Sequence, residues 1–315
     1  MDADLIAKGG AVFAPLSQFG LLIVSGEDAR AFLHGQLSND IEHLSAGGAR
    51  RAGYCSAKGR LLATFLVVPH LEGFLLQVSR DIAATVAKRL SMYVLRSKVK
   101  VAQISDAWAQ FGAWGRDAAQ LLQAAGFDVP SEAMGVTATT ERSIVALGDG
   151  RFLVLGSPET ATLLAASFKQ VSAEGWTLAD VRAGLPQVTL ATQDQFVPQM
   201  ANLELVGGVD FKKGCYPGQE IVARTQYLGK LKRRMYRGSI DAPGPSAPAA
   251  GSDLFGAEPQ AIGPIVSSAH RPSGGNGLLA GMQPAAVGRD GPGARGAPRG
   301  PAHAIECPGD AAAAP

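Results

Sequence analysis

Alternating apolar and polar runs divide residues 19–170 into two stretches with the same order of predicted elements. Continuous apolar runs predict strands, and apolar residues three or four apart predict helices. The first stretch predicts strands at FGLLIVSG, YCSAKG, RLLATFLVV, GFLLQVS and KVKVAQIS, with helices over AFLHGQL and after Ser79. The second predicts a strand at WAQFGAWG, a hairpin of SIVALGD and RFLVLGS, and helices at RDAAQLLQAAGF and PETATLLAASFKQ. Both outlines read β-α-β-β-α, the order of ferredoxin-like split units, which indicates a duplication of order rather than of sequence.

Polar residues at the predicted helix ends support these boundaries. Ser25 stands three residues before Asp28, a spacing that resembles a capping box at the start of the AFLHGQL helix. Ser79 is the predicted N-cap of the next helix, and Gly126 is predicted to end the helix at RDAAQLLQAAGF.

The composition of the chain changes near residue 241. Seven of the 19 prolines occur up to Asp241, and 12 follow in the 74 residues from Ala242 onward. The runs YRGSI, AIGPIVSSA and GLLAGM predict a small barrel or a strand return up to about Met282. From Ala285 to Pro315, Gly, Pro and Ala make up 21 of 31 residues, too little apolar surface to offset the entropy of ordering. A frame-shifted reading and a natural disordered tail both explain this composition, and either predicts an irregular tail.

Composition and charge exclude several classes of protein. The 315 residues are 46% hydrophobic and 18% charged, which suits two or three folded domains, and a net charge of +2 excludes a globally basic nucleic-acid-binding protein. Charged residues interrupt every apolar run before the ~18 residues that a membrane span needs. The N-terminus MDADLIAKGG lacks signal-peptide features, and Cys55, Cys215 and Cys307 are too dispersed for a disulfide scaffold. We therefore expect a cytoplasmic protein that does not engage membranes.

The segment VDFKKGCYPGQEIVARTQYLGKLKRRMYRG, residues 209–238, is the strongest candidate for chemistry. Gly214 and Gly218 would allow a shaped loop around Cys215, and Lys212 and Lys213 would lower the pKa of its thiol. A reactive thiolate and a small buried side chain in a turn remain alternatives for this cysteine.

The residues that follow are polar and basic. Gln219 and Glu220 could hold the loop in place or bind the amide of a ligand. Between Lys212 and Arg237 there are eight Lys and Arg residues against one acid, a net charge of +7. This charge could face RNA phosphates, the glutamate tail of an anionic ligand, or solvent on a β-ribbon. Tyr227 and Tyr236 are too few to require base stacking.

The run KGCYPGQE, residues 213–220, closely matches the signature of the YgfZ family, the folate-binding relatives of the glycine-cleavage aminomethyltransferase. The flanking runs FVPQMANLELVGGVDFKKG and EIVARTQYLGKLKRR also resemble this family, as do GQLSNDI and CSAKGRLLATFLV. The resemblance covers roughly residues 19–282.

This resemblance implies an α+β, GcvT-like fold. It comprises two ferredoxin-like α/β units and a small C-terminal β-barrel around a central folate channel. The corresponding segments are residues 1–105, 106–200, 201–237 with the KGCYPGQE loop, 238–284 with an incomplete barrel, and an irregular tail at 285–315. The resemblance also implies tetrahydrofolate as cofactor and iron–sulfur client enzymes as partners, notably those that thiolate tRNA. We expect a monomer, and direct contact with RNA stays open.

The resemblance also implies roles for particular residues. Cys215 and Lys213 are the candidates for catalysis, and the expected folate contacts are Trp176, Phe19, Gly218, Gln219 and Glu220. A flat pterin suits an aromatic partner, although Phe19 stands where relatives often have tryptophan. Core packing remains the alternative for both aromatic residues.

Two positions bear on whether the protein is an enzyme. The aminomethyltransferases carry paired aspartates where this sequence has Ala63 and Thr64. Neither residue can supply the carboxylate that methylene transfer needs. No histidine stands at metal-ligand spacing, so no metal site is predicted. The sequence favours a tetrahydrofolate-binding accessory protein for assembly or repair of iron–sulfur enzymes, indirectly supporting tRNA modification. A true folate-dependent one-carbon (aminomethyl) transferase and an RNA-binding module are the alternatives.

Overall fold

A computed structural model describes residues 10–71, 73–229, 231–240, 247–255, 261–283, 293–294 and 302–306. The chain forms two compact units. Unit 1 comprises Met1–Ala52 and Phe65–Gly175, and unit 2 comprises Gly53–Thr64 and Trp176–Pro315. The first two predicted segments therefore share one unit for most of their length, while the tip of one hairpin belongs to the other unit.

Most of the first eleven strands and the first four helices lie in unit 1. The strands are β1 (Ala11–Pro15), β2 (Phe19–Ser25), β3 (Arg50–Cys55), β4 (Leu61–His70), β5 (Gly73–Ser79), β6 (Lys100–Gln103), β7 (Ala109–Gly115), β8 (Val136–Ala138), β9 (Arg142–Gly148), β10 (Arg151–Gly156) and β11 (Lys169–Gln170). The helices are α1 (Ala29–Gln36), α2 (Arg80–Met92), α3 (Ala118–Ala124) and α4 (Thr160–Ala165).

These strands form two sheets with related orders. One sheet has the order β3-β4-β5-β2-β6, and the other has the order β11-β1-β7-β10-β9-β8. If β7 to β11 are matched in turn with β2 to β6, the second sheet repeats the first with β1 inserted beside β7. The repeated order of elements predicted from the sequence is therefore confirmed. The sequence did not predict β1, β8 or β11, each of which is short.

Apolar residues from the sheets and helices form the cores of unit 1. In the second sheet, Phe13, Phe111 and Val154 are buried in one cluster with Leu122 of α3 and Leu164 of α4. In the first sheet, α2 lies so close to β2 that a Cβ at position 20 would come within 2.6 Å of the Ala83 Cβ. Helix α4 ends at Ala165, so the prediction of helix through PETATLLAASFKQ is wrong at its end. Lys169 and Gln170 instead pair in parallel with β1.

The two predicted caps differ in detail from the structure. Helix α1 begins where expected, but its N-cap residue is Asp28 and its cap has no side-chain hydrogen bond. The Asp28 carboxylate instead accepts a hydrogen bond of 2.7 Å from the Lys98 backbone N–H, so the capping box is wrong. Ser79 is the N-cap of α2, as predicted, but its hydroxyl donates to Asp81 instead of capping the backbone. Gly126 follows the end of α3 with φ +82°, the left-handed conformation expected of a glycine at a helix end.

Unit 2 holds most of α5 and a six-stranded sheet. Its elements are α5 (Glu174–Arg182), a 3-10 turn (Pro198–Ala201), α6 (Gln219–Leu228), β12 (Arg234–Ile240), β13 (Asp253–Phe255), β14 (Ala261–His270), β15 (Asn276–Met282), β16 (Gly293–Ala294) and β17 (Ala302–Glu306). The sheet order is β16-β13-β14-β15-β12-β17. The predicted strands at YRGSI, AIGPIVSSA and GLLAGM are confirmed, and the described strands form an open sheet without closing into a barrel.

The C-terminal tail contains two short strands. Gly293–Ala294 pairs with β13, and Ala302–Glu306 pairs with β12, so the expectation of an irregular tail is wrong for these segments. The physical reason is that the edge of a sheet offers unpaired backbone groups, which an extended segment can pair with whatever its side chains. The remainder of 285–315 lies outside the described residues. Within the described part of the chain, no helix combines the length and apolar composition needed to cross a membrane.

Candidate functional site

The KGCYPGQE segment forms a shaped loop before α6, as the sequence predicted. The loop begins with a turn in which the Asp210 carboxylate accepts hydrogen bonds from the backbone N–H groups of Lys212, at 2.7 Å, and Lys213, at 3.2 Å. At its far end the Gln219 amide donates to the carbonyls of Lys213, at 3.4 Å, and Gly214, at 3.5 Å. Of the two roles considered for Gln219, the loop-holding one is therefore observed.

Gly218 fits the loop against the turn between β3 and β4. Its φ of +79° is left-handed, and a Cβ there would lie 2.4 Å from the Ser56 carbonyl oxygen and 2.6 Å from the Gly59 Cα. Such approaches leave no room for a side chain, so glycine is required both for the backbone conformation and for the contact. Gly59 also has a positive φ of +70°. These two glycines therefore allow the KGCYPGQE loop to pack against the β3–β4 turn at the point where α6 begins.

Lys213 and Tyr216 form a buried pair inside the loop. The Lys213 ammonium lies 4.9 Å from the centroid of the Tyr216 ring, within the range of a cation–π interaction. Burial, with a smaller electrostatic contribution from Cys55, raises the pKa of the Tyr216 phenol. The phenol is therefore neutral at physiological pH and the ring face can hold the lysine.

The two described cysteines are in opposite environments. Cys55 is buried in β3, and burial raises the pKa of its thiol to about 12. Cys215 is exposed in the loop, so the alternative that it is a small buried packing residue is wrong. Whether the exposed thiol reacts stays a prediction. Cys307 lies outside the described residues.

A polar network before and after α6 was not predicted as part of the site. Gln199, in the 3-10 turn, donates from Nε2 to the Val222 carbonyl at 2.8 Å. Asn202 donates to the Met235 carbonyl at 2.8 Å, and its Oδ1 accepts from Arg234 at 3.1 Å. Arg234 also forms an ion pair with Glu204. Together these bonds join the 3-10 turn, α6 and β12 in unit 2.

Two acceptors of this network have no partner among the described residues. They are Gln199 Oε1 and Glu204 Oε2, and solvent reaches neither oxygen atom. A buried acceptor without a donor costs on the order of 1–3 kcal/mol, more when it is charged. The signal available in the sequence was the run PQMANLE, which places amide and acidic side chains beside apolar ones. Such residues within a folded segment indicate a buried polar site.

The remaining predicted folate contacts lie in different settings. Trp176 is in α5 of unit 2 and is 2% exposed, whereas Phe19 begins β2 in unit 1 and is 7% exposed. Glu220 is exposed in the first turn of α6, where its charge is favourable to the helix dipole. Of the predicted site residues, Lys213, Gly218 and Gln219 lie close together, in the loop and at the start of α6.

Ala63 and Thr64 lie buried in β4. Ala63 is 0% exposed and Thr64 is 7% exposed. The Thr64 hydroxyl oxygen accepts a hydrogen bond of 3.1 Å from the Val188 backbone N–H. This threonine thus holds the segment after α5, and neither side chain offers an acid or a base.

The basic stretch is divided between the KGCYPGQE loop, α6, the segment after α6 and β12, so its described residues do not form one β-ribbon. Arg224 is on α6, and Lys212 and Lys232 flank the helix; all three are exposed. Arg234 is taken up by the Glu204 ion pair, and Arg237 donates to the Arg182 carbonyl. Lys230 lies outside the described residues. Some of these basic side chains therefore form contacts within unit 2, and the others are exposed to solvent. Among the residues that the structure describes, no group of three or more His, Cys, Asp or Glu could hold a metal ion.

The fold places the chain in a known class. The solved structure of glycine cleavage system aminomethyltransferase T from Bartonella henselae matches with a TM-score of 0.76 and 19% identity, covering 96% of this chain and 87% of that one. The family model of the GCVT N-terminal domain matches residues 7–148. The architecture is therefore a GcvT-like α+β fold.

Sequence relatives narrow the class. The tRNA-modifying protein YgfZ of Photorhabdus laumondii subsp. laumondii is 33% identical over 246 residues, which cover 76% of this chain and 73% of the relative. The tRNA-modifying protein YgfZ of Colwellia psychrerythraea is 31% identical over 226 residues, which cover 70% and 69%. The chain belongs to the YgfZ family.

Proposed function

We propose that this protein binds tetrahydrofolate and acts in the cytoplasm as an accessory factor in the assembly or repair of iron–sulfur enzymes. Its effect on tRNA modification is then indirect, through clients that thiolate tRNA. The proposal includes the finer architecture expected of the fold, two ferredoxin-like units and a barrel-like third part around a folate channel. The curated relatives are named as tRNA-modifying proteins, which supports carrying this role over to the chain.

The observation that supports the proposal is a pair of buried acceptors in the polar network, which the donors of a pterin would satisfy. The aminopyrimidine edge of a pterin presents N–H donors, and Gln199 Oε1 and Glu204 Oε2 are two acceptors that lack donors among the described residues. Arg234 holds Glu204 by its other oxygen, so the carboxylate would keep its orientation. Bound folate supplies a one-carbon carrier, while these side chains orient its ring.

The same geometry favours an accessory factor over an aminomethyltransferase. Transfer of a methylene group from an aminomethyl donor needs a carboxylate near the reacting nitrogen. Ala63 presents a methyl group to the core, and the Thr64 hydroxyl is hydrogen-bonded to the Val188 N–H. The candidate for chemistry is then the exposed Cys215 thiol. Lys213 precedes it by two residues in the sequence, and its ammonium lies over the Tyr216 ring.

Calorimetry with tetrahydrofolate on the full chain tests the binding. We expect saturable heat from one site, and competition by a pterin without the aminobenzoylglutamate tail, because the proposed acceptors recognise the ring. A folded protein, shown by a cooperative thermal transition, that releases no heat with tetrahydrofolate would contradict the proposal.

A separate pair of assays tests the role. The chain should restore thiolated nucleosides in tRNA when expressed in a bacterium that lacks its own YgfZ. It should form no methylenetetrahydrofolate when given tetrahydrofolate and an aminomethylated carrier protein. Measurable transfer at rates typical of enzymes would favour the aminomethyltransferase instead, whatever the result of the calorimetry.

A further inference from the structure

One face of unit 2 combines exposed cations with exposed apolar side chains. We call Lys212, Arg224, Tyr227, Leu228 and Lys232 the basic–aromatic surface. The three cations are exposed, Tyr227 is 70% exposed and Leu228 is 83% exposed. The network proposed for folate uses none of these five residues.

One ring contact and the spacing of residues along α6 connect the members of this surface. The rings of Phe211 and Tyr227 meet edge to face with centroids 6.3 Å apart, which brings the segment of Lys212 to the C-terminal end of α6. Arg224 precedes Tyr227 and Leu228 by three and four residues on α6, so the three share one side of the helix. Lys232 is exposed four residues after Leu228, in the segment between α6 and β12.

The acids around this surface are mostly engaged elsewhere. The Asp210 carboxylate accepts two backbone N–H groups, and Glu204 pairs with Arg234. Glu220 is exposed in the first turn of α6, four residues before Arg224. Three cations against the charges of Asp210 and Glu220 leave the surface with a net positive charge, which complements a polyanion.

We propose that the basic–aromatic surface binds single-stranded RNA. Lys212, Arg224 and Lys232 contact phosphates, and one base stacks on the Tyr227 ring, which Phe211 holds in place. A base on an exposed aromatic ring flanked by cations is the common arrangement in single-strand recognition. Tyr227, Leu228 and the 40% exposed Ile221 form too small an apolar patch for the core of a stable protein interface, which favours RNA over an acidic protein. Direct RNA contact goes beyond the proposed function, in which the effect on tRNA is indirect.

Fluorescence anisotropy of the full chain with a fluorescein-labelled 12-nucleotide oligouridylate tests the proposal. We expect binding that weakens steeply with salt, and Tyr227→Ala should weaken it about tenfold through loss of one stacked base. Tyr227→Phe keeps the ring face and should stay within about twofold of the parent. Arg224→Ala should lower the slope of log affinity against log salt by about 0.7, the value for one lost phosphate contact on a single strand.

Tyr93 provides a matched control in unit 1. It is 42% exposed and has the Arg89 guanidinium 6.0 Å from its ring centroid, so it is also an exposed tyrosine beside a cation. Tyr93→Ala should leave oligouridylate binding unchanged. The proposal is overturned if the parent does not bind, if both alanine variants behave alike, or if poly-glutamate competes as well as RNA, the last indicating an acidic protein partner. Calorimetry of Tyr227→Ala with tetrahydrofolate should match the parent, so failure of RNA binding and failure of folate binding are distinguishable.

Discussion

Different interactions stabilise two parts of the molecule. One part is the second sheet of unit 1, and the other is the segment from Gln199 to Arg237 of unit 2. In the sheet, aromatic and aliphatic side chains such as Phe13 and Phe111 fill a cluster that excludes polar groups from its centre. In the segment, Gln199, Asn202 and Arg234 join separate elements by hydrogen bonds and an ion pair.

This difference separates residues that stabilise from residues that position. Apolar burial is non-directional, so the core of the sheet tolerates apolar substitutions that conserve side-chain volume. A hydrogen-bonded network holds each partner at one distance and orientation, and it costs stability when a member is missing. The Gln199–Arg237 segment is therefore where a ligand can be held in one geometry.

Phe13→Ala tests the apolar side of the comparison and should have the largest effect. The side chain is 0% exposed within the cluster, and removal of a buried phenyl ring leaves a cavity. We expect a loss of about 3–5 kcal/mol in the free energy of unfolding, measured by urea titration. Leu163→Ala, at a side chain 45% exposed on α4, is the control and should stay within about 0.5 kcal/mol. Equal losses in the two variants would contradict the assignment of this core.

Arg234→Ala tests the polar side by leaving the Glu204 carboxylate without its ion-pair partner. The side chains are 27% and 9% exposed, so we expect a loss of about 2 kcal/mol, below that of a fully buried pair. The matched control is Arg80→Ala, whose pair with Asp106 is 44% and 92% exposed. That variant should lose under about 1 kcal/mol. The comparison breaks down if the exposed pair proves as important as the internal one.

Gly218→Ala separates backbone strain from steric contact. The new Cβ would meet the Ser56 carbonyl at 2.4 Å, whereas a Cβ at Gly126, with nearly the same φ of +82°, would meet nothing within 4 Å. We expect Gly126→Ala to cost about 1 kcal/mol and Gly218→Ala about 1 kcal/mol more, by thermal unfolding. Identical costs would show that the loop does not rest on the β3–β4 turn.

Trp176→Leu tests whether a buried aromatic residue also contributes to binding of the ligand. Leucine keeps most of the apolar volume and removes the aromatic face, so tetrahydrofolate binding should weaken by about 1 kcal/mol, or roughly fivefold, in calorimetry. Trp114→Leu, at another buried tryptophan in β7, should leave the affinity unchanged. Unchanged affinity in the Trp176 variant would assign this residue to core packing alone.

The two described cysteines provide the smallest expected change in stability and the sharpest contrast in reactivity. In a Cys307→Ser background, iodoacetamide should label exposed Cys215 readily at neutral pH, while buried Cys55, with its pKa raised to about 12, should label only on unfolding. Peptide mapping by mass spectrometry measures both rates. Cys215→Ala should keep the parent's melting temperature and lose the restoration of thiolated tRNA. Full restoration by that variant would leave the thiol without a role.

Elements that rest on long apolar runs were predictable from the sequence. Strands such as β2 and β5, and helix α2, follow local periodicity that tertiary contacts reinforce. Strand β1 was missed because AVFAP is short and pairs with a strand far along the chain. Helix α6 was missed because QEIVARTQYL has one buried side chain, Val222, and therefore shows no apolar stripe of helical spacing.

The site was predictable only where a motif was contiguous. The KGCYPGQE loop could be located from its glycines and cysteine, and its shaped conformation followed. Neither the contact of Gly218 with Ser56 nor the acceptors of Gln199 and Glu204 could be inferred, because they depend on side chains that folding brings together. The capping box failed for the same reason: Asp28 bonds to Lys98, a residue remote in sequence.

The insertion of β1 into the second sheet has a consequence for synthesis on the ribosome. Ala11 pairs with Gly115 and Pro15 with Phe111, so β1 waits for about one hundred more residues to be added before its partner strand emerges. At roughly 5–20 residues per second this interval lasts on the order of 5–20 seconds. During that time the apolar run Val12–Ala14, fully buried in the finished protein, is exposed to the cell. The nascent chain therefore passes through an early period in which its first strand is unpaired, long before its loop and network exist.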